Sequence, residues 1–506
     1  MIAALRAKDD GARRFVEATR GQLDEITAPT HHLVFGRRGT GKSSLMLRAY
    51  QQLRVRHPVA WIDLERCKEL SYPDAVLSAL LMCLDRTGSP QRSSFIAWIE
   101  AAQIGRRRRL FSRARSQRKQ LLVLIDDSVR WLRELREKSD DASITTRRES
   151  EDTASHSDAV RLDARLKGAA ETGIRVGRGR KLSSKHVSHI KEGFRRSKID
   201  LVHQKMSSLR TIFVHLHHLT GADAYLFVDD LFHIRREDQA RVLDYLHRIA
   251  KDNHLWLKIG TKRHRTVWYK RGDAPLGMRI GDDARDIDLD LSLDRMDEIR
   301  EYFREILKSF VDEAGLGSIE ALLTGEAMTR LVVASGAVPR DAVSICIRAV
   351  DIAVERMSGN QRQGSARRID CEDINEASRS FYERTKMVEL QRDTSDDERN
   401  KLLETFDRVR SFCQTNGKTW FLVNADYRTA EASRVKELLD LKLVHLIRRG
   451  LTLRGGQRGR FDAYLLDLSQ WIVRRRKGSI QTIDFNARDL DRQLRRAGLI
   501  YPDQGD

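Results

Sequence analysis

Short apolar runs alternate with segments of helical spacing through the first part of the chain. His32 to Phe35 is an apolar run, and "SSLMLRAYQQL" after it repeats apolar residues at helical intervals, so a strand and then a helix are predicted. "HPVAWIDLE" (His57 to Glu65) reads as a second buried strand and "YPDAVLSALLMCL" as an amphipathic helix. "AYLFVDD" (Ala224 to Asp230), the helix "REDQARVLDYLHRIA", "LWLKIGT" (Leu255 to Thr261) and a fifth strand "DIDLDL" continue the alternation. Strands alternating with helices imply an α/β fold with a parallel sheet covered on both faces.

From Gly105 the texture changes. "GRRRRLFSRARSQRK" is a basic run, and "SDDASITTRRESEDTASHSD" and "GIRVGRGRKLSSKH" are polar and poor in apolar residues, so a long charged, partly helical insertion is expected over about 105–200. Two segments end in an acidic pair: "LLVLIDD" (Leu121 to Asp127) and "AYLFVDD". In the first, Leu121, Leu122, Ile125, Val129, Leu132 and Leu135 keep helical spacing straight through the pair, with no Gly or Pro to stop a helix. The second is bounded by "TGAD" and is followed one helix later by a strand ending in Gly260 and Thr261. Asp229 and Asp230 are therefore the expected catalytic acids. Leu121 to Leu135 and the helix around Leu201 to Leu219 are expected to pair as a helical hairpin bearing the basic loop, either a partner-docking arm or a solvated insertion, with the balance toward the latter.

The first strand runs into "GRRGTGKS", a G-x-x-x-x-G-K-S loop that opens a helix. Its backbone N–H groups, over residues 38 to 43, suit the phosphates of a nucleotide, Lys42 its β and γ oxygens, and the Ser43 hydroxyl a magnesium ion. Gly36, Gly39, Gly41, Lys42, Ser43 and Ser44 are the expected binding residues for ATP with Mg2+. Asp229 joins Ser43 around the metal, and Asp230 orients the attacking water. Thr261 is placed to hydrogen-bond the γ-phosphate or that water. Arg263 and Arg265 either read the phosphate or belong to a solvated basic loop. Gly336 and Pro339 precede Arg340 at a helix start, where a guanidinium suits bidentate recognition of phosphate.

Together these residues resemble the AAA+ ATPases, and within them the origin-recognition and replication-initiator clade, in a bacterial-type form. "GRRGTGKS" is similar to Walker A, "LFVDD" to Walker B, "KIGT" to sensor 1 and "GAVPR" to sensor 2, over about Gly11 to Leu390. The resemblance implies a base at 1–290, a helical lid at 291–390, a γ-phosphate-sensing Arg340, and an arginine finger from a neighbouring subunit, for which Arg279 and Arg285 are candidates. It also implies a homo-oligomer. The second acid is Asp where such initiators carry Glu, and the insertion is longer than their usual connection. The acidic pair with "GTKR" also resembles signalling ATPases of the STAND class, which switch by nucleotide exchange and gate a protein effector. Replication, transposition targeting and antiviral defence remain open as processes.

After the polar "QRDTSDDERN", a helix, the run "WFLV", the helix "EASRVKELLDL", the strand "LVHLI", a basic turn and "FDAYLLDL" suggest a winged helix over 398–485, followed by a tail at 486–506. Arg454, Arg458 and Arg460 on the wing suit a phosphate backbone, with Arg434 and Lys436 at the start of the recognition helix. STAND ATPases also carry winged helices, and theirs pack on the nucleotide.

Charge strengthens the nucleic-acid side of this choice. Of 506 residues, 93 are Lys or Arg against 73 Asp or Glu, a net charge of +20, which draws the protein to polyanions. Aromatics are only 7%, which favours a duplex-backbone binder, double-stranded DNA, over a single-strand stacking platform. Five scattered cysteines without C-x-x-C spacing, and no apolar run near the roughly 20 residues of a membrane helix, suit a cytoplasmic protein without membrane contact. His215, His217 and His218 share a helix without a Cys or carboxylate to complete a zinc set, so no metal is expected there.

Overall fold

The computed structural model describes residues 15–68, 70–85, 94–101, 115–137, 198–315, 317–358, 368–393, 396–426, 429–453, 459–469, 483–485, 489–497 and 499–502. Most of the expected charged insertion lies outside these residues, as do Arg454 and Arg458.

The base is a parallel sheet of β1 (His32–Phe35), β2 (Val59–Asp63), β3 (Ala224–Asp229), β4 (Leu255–Thr261) and β5 (Arg285–Asp288), in the order β2-β3-β4-β1-β5. Every neighbouring pair is parallel. All four residues of β1 and all six of β3 are buried, as a sheet covered on both faces requires. The helices α1 (Lys42–Leu53), α2 (Tyr72–Leu84), α3 (Arg115–Glu137), α4 (Met206–Thr220) and α5 (Gln239–Ala250) provide the cover. This is the parallel α/β base that the strand–helix alternation anticipates. The fifth strand is shorter than expected: it ends at Asp288, Leu289 makes a last bond from its N–H to Phe35 O at 2.9 Å, and Leu289 and Leu291 enter two different cores.

The segment Leu121 to Leu135 is helical, inside α3. Leu121, Ile125, Val129, Leu132 and Leu135 form its buried stripe, packed against α2 and α4, and join the main core of the base. Asp127 is turned outward, 60% exposed beside Arg130, far from the chemistry expected of a strand-end acid. The two helices do pair, but they cover the base instead of standing free in solvent. Their apolar stripes leave no other stable arrangement once α2 offers a third apolar face.

From residue 291 on, the longer helices are α6 (Met296–Glu313), α7 (Gly325–Ser335), α8 (Pro339–Ser358) and α9 (Cys371–Phe381), with α10 (Met387–Asp393) leading out of them. Beyond lie α11 (Asp396–Thr415), β6 (Trp420–Asn424), α12 (Ala430–Asp440), β7 (Val444–Leu451) and β8 (Phe461–Leu466), with an antiparallel sheet in the order β6-β8-β7. This order is compatible with a winged helix. Its period-two alternation divides two cores. Trp420 and Leu422 of β6 face the lid cluster, whereas Phe421 and Val423 face α11 and α12.

Candidate nucleotide-binding site

The loop between β1 and α1 turns on Gly39 (φ 95°) and Gly41 (φ 100°), whose left-handed backbone is open to glycine at little cost. Lys42 is buried, and its Nζ donates to the carbonyl oxygens of Gly36 (2.6 Å) and Arg37 (3.1 Å). Burial lowers its pKa, and the carboxylates of Asp230, Asp290 and Asp229 oppose that shift. The ammonium is thus held at the loop's mouth by groups that a phosphate is able to replace.

The register of the sheet decides what faces this loop. Phe35 is level with Thr261, and Asp63 with Asp229, so the C-terminal ends of β1, β4, β3 and β2 share one edge. There they frame a cleft of about 520 Å³. Arg38, Gly39, Gly41, Lys42, Ser43 and Ser44 form one wall, and Glu65, Asp230 and His233 stand in the other. Asp229 is buried at the end of β3, and its Oδ1 accepts from the Asp230 N–H at 3.1 Å. Asp230 itself has left-handed backbone (φ 59°), which turns the chain out of the sheet beside the cleft. Hard oxygen donors from Ser43 and Asp229 fit a magnesium ion, which would supply charge neutralisation at the phosphates.

Other expected residues are distributed differently. Arg340 lines the cleft, and its backbone N–H donates to Gly39 O at 3.2 Å, so the lid helix α8 begins directly on the phosphate loop. The Thr261 hydroxyl is fully buried and shares a 2.6 Å hydrogen bond with Thr266; the next residue, Lys262, lines the cleft in its place, with its ammonium 4.1 Å from the centre of the Phe232 ring. Arg263 pairs with Asp286 at 2.9 Å and Arg265 with Glu398 at 3.0 Å. Arg279 pairs with Asp282 at an exposed position, and Arg285 is exposed on β5. Glu65, Lys68, His233 and Lys262 were not read from the sequence as site residues. Glu65 follows a strand whose place next to Asp229 only the sheet order reveals.

The C-terminal module of α11, β6, α12, β7 and β8 packs against the base beside this site. Arg236 of the base meets Glu437 of α12 at 2.9 Å, and Asp440 accepts from the His264 N–H at 2.9 Å. Arg449 reaches Asp288 at 3.0 Å. Arg37, inside the glycine loop and fully buried, donates to Asp290 (2.9 Å), Gly336 O (2.9 Å) and His445 Nδ1 (3.5 Å). A side chain at position 336 would overlap the His445 ring, so only glycine lets the two surfaces close. His445 Nε2 lies 2.8 Å from Asp467, which Lys386 also binds. Burial lowers the His445 pKa to about 4 against the pull of Asp467, leaving a neutral ring that donates through Nε2 and accepts from Arg37 through Nδ1. Burial pushes the Asp467 carboxyl up, but Lys386 and His445 more than offset this and hold it below the usual range.

On α12, Arg434 is half-buried and bound to Glu431 at 3.0 Å, and Lys436 is half-buried as well. Arg460 is 70% exposed, 3.8 Å from Asp426. At the opposite edge of the base sheet, His217 and His254 stack at 3.6 Å, with both Nδ1 atoms near Asp223 Oδ1 (3.3 and 3.0 Å). Asp223, just past the end of α4, supplies a carboxylate that the helix itself lacks. Parallel stacked rings do not direct both lone pairs at one ion; His254 Nδ1 is hydrogen-bonded to Asp223 Oδ1, whereas His217 Nδ1 makes no hydrogen bond among the described residues. Among the described residues no helix is long and apolar enough to cross a membrane.

A glycine loop after β1, an acidic pair at the end of β3 and β4 between them define a P-loop site on a parallel α/β base. No protein-family profile matches the chain, and no curated protein does. Among solved structures, the Orc1 protein of Aeropyrum pernix in complex with DNA shares 13% identity over 93% of this chain and 95% of that one, with a TM-score of 0.35. Cdc6p from Pyrobaculum aerophilum shares 10% over 99% of each chain, with a TM-score of 0.33. The RuvB Holliday junction branch migration motor of Thermotoga maritima shares 14% over 42% of this chain and 55% of its own, with a TM-score of 0.22. Likeness at these scores carries no argument about activity.

Proposed function

We propose that the chain is an ATP-binding, magnesium-dependent P-loop switch that acts on double-stranded DNA, with the winged module as its moving part. The observation that carries this reading is the meeting of four segments at one guanidinium. Arg37 of the phosphate loop holds Asp290, Gly336 of the lid and His445 of the winged module together. A nucleotide that shifts the loop therefore changes the winged module's footing. The net charge of +20 and the exposed Arg460 supply the attraction to a polyanion. ATP hydrolysis resets the switch, and Arg340 with a finger from a second copy makes assembly nucleotide-dependent.

One observation favours a second reading. The helix α12, expected to enter a groove of DNA, has Glu437 and Asp440 bound to the base and Arg434 bound to its own helix. In a signalling ATPase of the STAND kind the winged module would serve as an inhibitory clamp and the output would be a protein effector.

The experiment is a titration of labelled duplex against the protein with ADP, with a non-hydrolysable ATP analogue and with neither. Tighter binding in the analogue state supports the DNA switch. Equal, negligible binding in all three states rejects it in favour of the clamp. Lys42→Ala is the control for the nucleotide: it should lose ATP-dependent thermal stabilisation of about 3 kcal/mol at saturating ligand.

A further inference from the structure

Strands β2 and β3 run side by side, with Asp63 level with Asp229, and each leaves the sheet through a single turn of tight helix, Leu64–Cys67 and Leu231–His233. The two turns touch. Asp63 fixes the first by accepting from the Glu65 N–H at 3.1 Å, and the left-handed Asp230 starts the second. As a result Glu65, Asp230 and His233 each bring a ligand atom within 4.8 Å of the others, on the wall of the cleft that faces Lys42 and Ser43.

That wall is where a nucleophile must stand. In phosphoryl transfer the attacking oxygen enters opposite the leaving group, and the glycine loop with Lys42 takes the leaving, β-phosphate side. Asp230 has a short side chain on a backbone held by its bond to Asp229. Glu65 has one more methylene, stands on the turn that follows β2, lines the cleft and is exposed, so it is open to bulk water for proton release. Two carboxylates at this spacing give one water an acceptor for each of its protons, which aims its lone pair at the phosphorus.

Resting on the ATPase reading above, we infer that Glu65 is a catalytic residue that takes the proton of the attacking water, while Asp230 holds that water in place. The water oxygen bonds to the γ-phosphorus as the bond from phosphorus to the β-γ bridging oxygen breaks. ADP leaves with that electron pair, and the water proton passes to the Glu65 carboxylate and then to solvent. His233 stands beside both acids as a further hydrogen-bonding group.

The test compares Glu65→Gln, Asp230→Asn and the double variant with the wild type. ATP affinity is measured by equilibrium titration and phosphate release in a single turnover. Glu65→Gln should bind Mg-ATP within about threefold of wild type and release phosphate at least about thirtyfold more slowly. The double variant should be about as slow as the slower single one, because groups acting on one water are not additive. A Glu65→Gln rate within about twofold of wild type, at unchanged affinity, overturns the assignment. So does a wild type that binds ATP without hydrolysing it, and so does a Glu65→Gln rate that excess magnesium restores, which would make Glu65 a cation ligand. A wild type that fails to bind ATP is recognised at the titration step and removes the nucleotide reading itself.

Discussion

Lys442, just past α12, lies 3.1 Å from Asp341 of the helix α8, and neither side chain is more than 3% exposed. Glu389 completes the set at 2.9 Å from the same ammonium. Burial disfavours the Lys442 charge, but the two carboxylates more than compensate and raise its pKa. Removing one partner of such a pair leaves the other buried and uncompensated, at a cost of about 3–5 kcal/mol. Lys442→Met should therefore lower the thermal midpoint or free the winged module, which hydrogen exchange along α12 distinguishes. Pairing it with Asp341→Leu should recover part of the loss, since that apolar pair needs no counter-charge while Glu389 still loses the ammonium.

Acid should loosen the same contact. His445 titrates near 4 in the folded protein against 6.5 in an open chain. The unfolded state thus binds the extra proton between these values, and stability falls as pH drops from about 6.5 to about 4 and then levels off for this group. The difference corresponds to roughly 3 kcal/mol. The groups facing the ring are Arg37, Asp467 and Lys386, and the Asp467 carboxyl is held below the usual range. His31 and His32, both lowered to about 3 chiefly by burial, act in the same direction in the base. Denaturant midpoints measured from pH 7 to pH 4 should decline, and His445→Gln should flatten part of the decline.

The two acidic pairs should behave oppositely. Asp230→Asn is expected to retain ATP and slow turnover by about a hundredfold, because the phosphate cradle stays while water positioning is lost. Asp127→Asn should change neither binding nor rate, since its carboxylate sits on the outer face of α3. Steady-state turnover beside nucleotide titration checks both.

If the basic wing follows a phosphate backbone, Arg458→Glu with Arg460→Glu should weaken duplex binding for any sequence and reduce the salt slope by about 0.9 per lost contact. Nucleotide affinity should not change if the wing stands apart from the phosphate loop; Arg460 is not among the residues that line the cleft. Unchanged slope and affinity would exclude the wing as the DNA contact. Lys442→Met, which unfastens the module, should bind duplex more tightly than wild type under the switch reading.

The base was legible in the sequence where one element carries its own signal. β1, the glycine loop and α1 are contiguous, and the uninterrupted helical spacing from Leu121 to Leu135 correctly removes Asp126 and Asp127 from the sheet. Features that depend on pairing between distant segments were not legible. Glu65 gains meaning only when β2 is placed next to β3. The displacement of Thr261 by Lys262 at the cleft depends on a hydrogen bond to Thr266 that no periodicity encodes. The inward turn of α12 escaped for a similar reason: Arg434 and Lys436 look solvent-facing on a helical wheel, but Glu431, Glu437 and Asp440 have partners in other segments that bury most of the helix.

The shared core between lid and winged module also sets an order of events on the ribosome. All the apolar residues of the base core lie at or before Leu289, so that domain is able to close early in synthesis. The lid core takes residues from Leu291 onward but is completed by Trp420, Phe461 and finally Leu490 and Leu494. About 200 residues must still emerge before the last of them arrives, some tens of seconds at ordinary elongation rates, and the lid's apolar stripes stay uncovered meanwhile. A nascent chain halted after α9 would be a finished base carrying an adhesive half-lid, the form of this protein most in need of a chaperone.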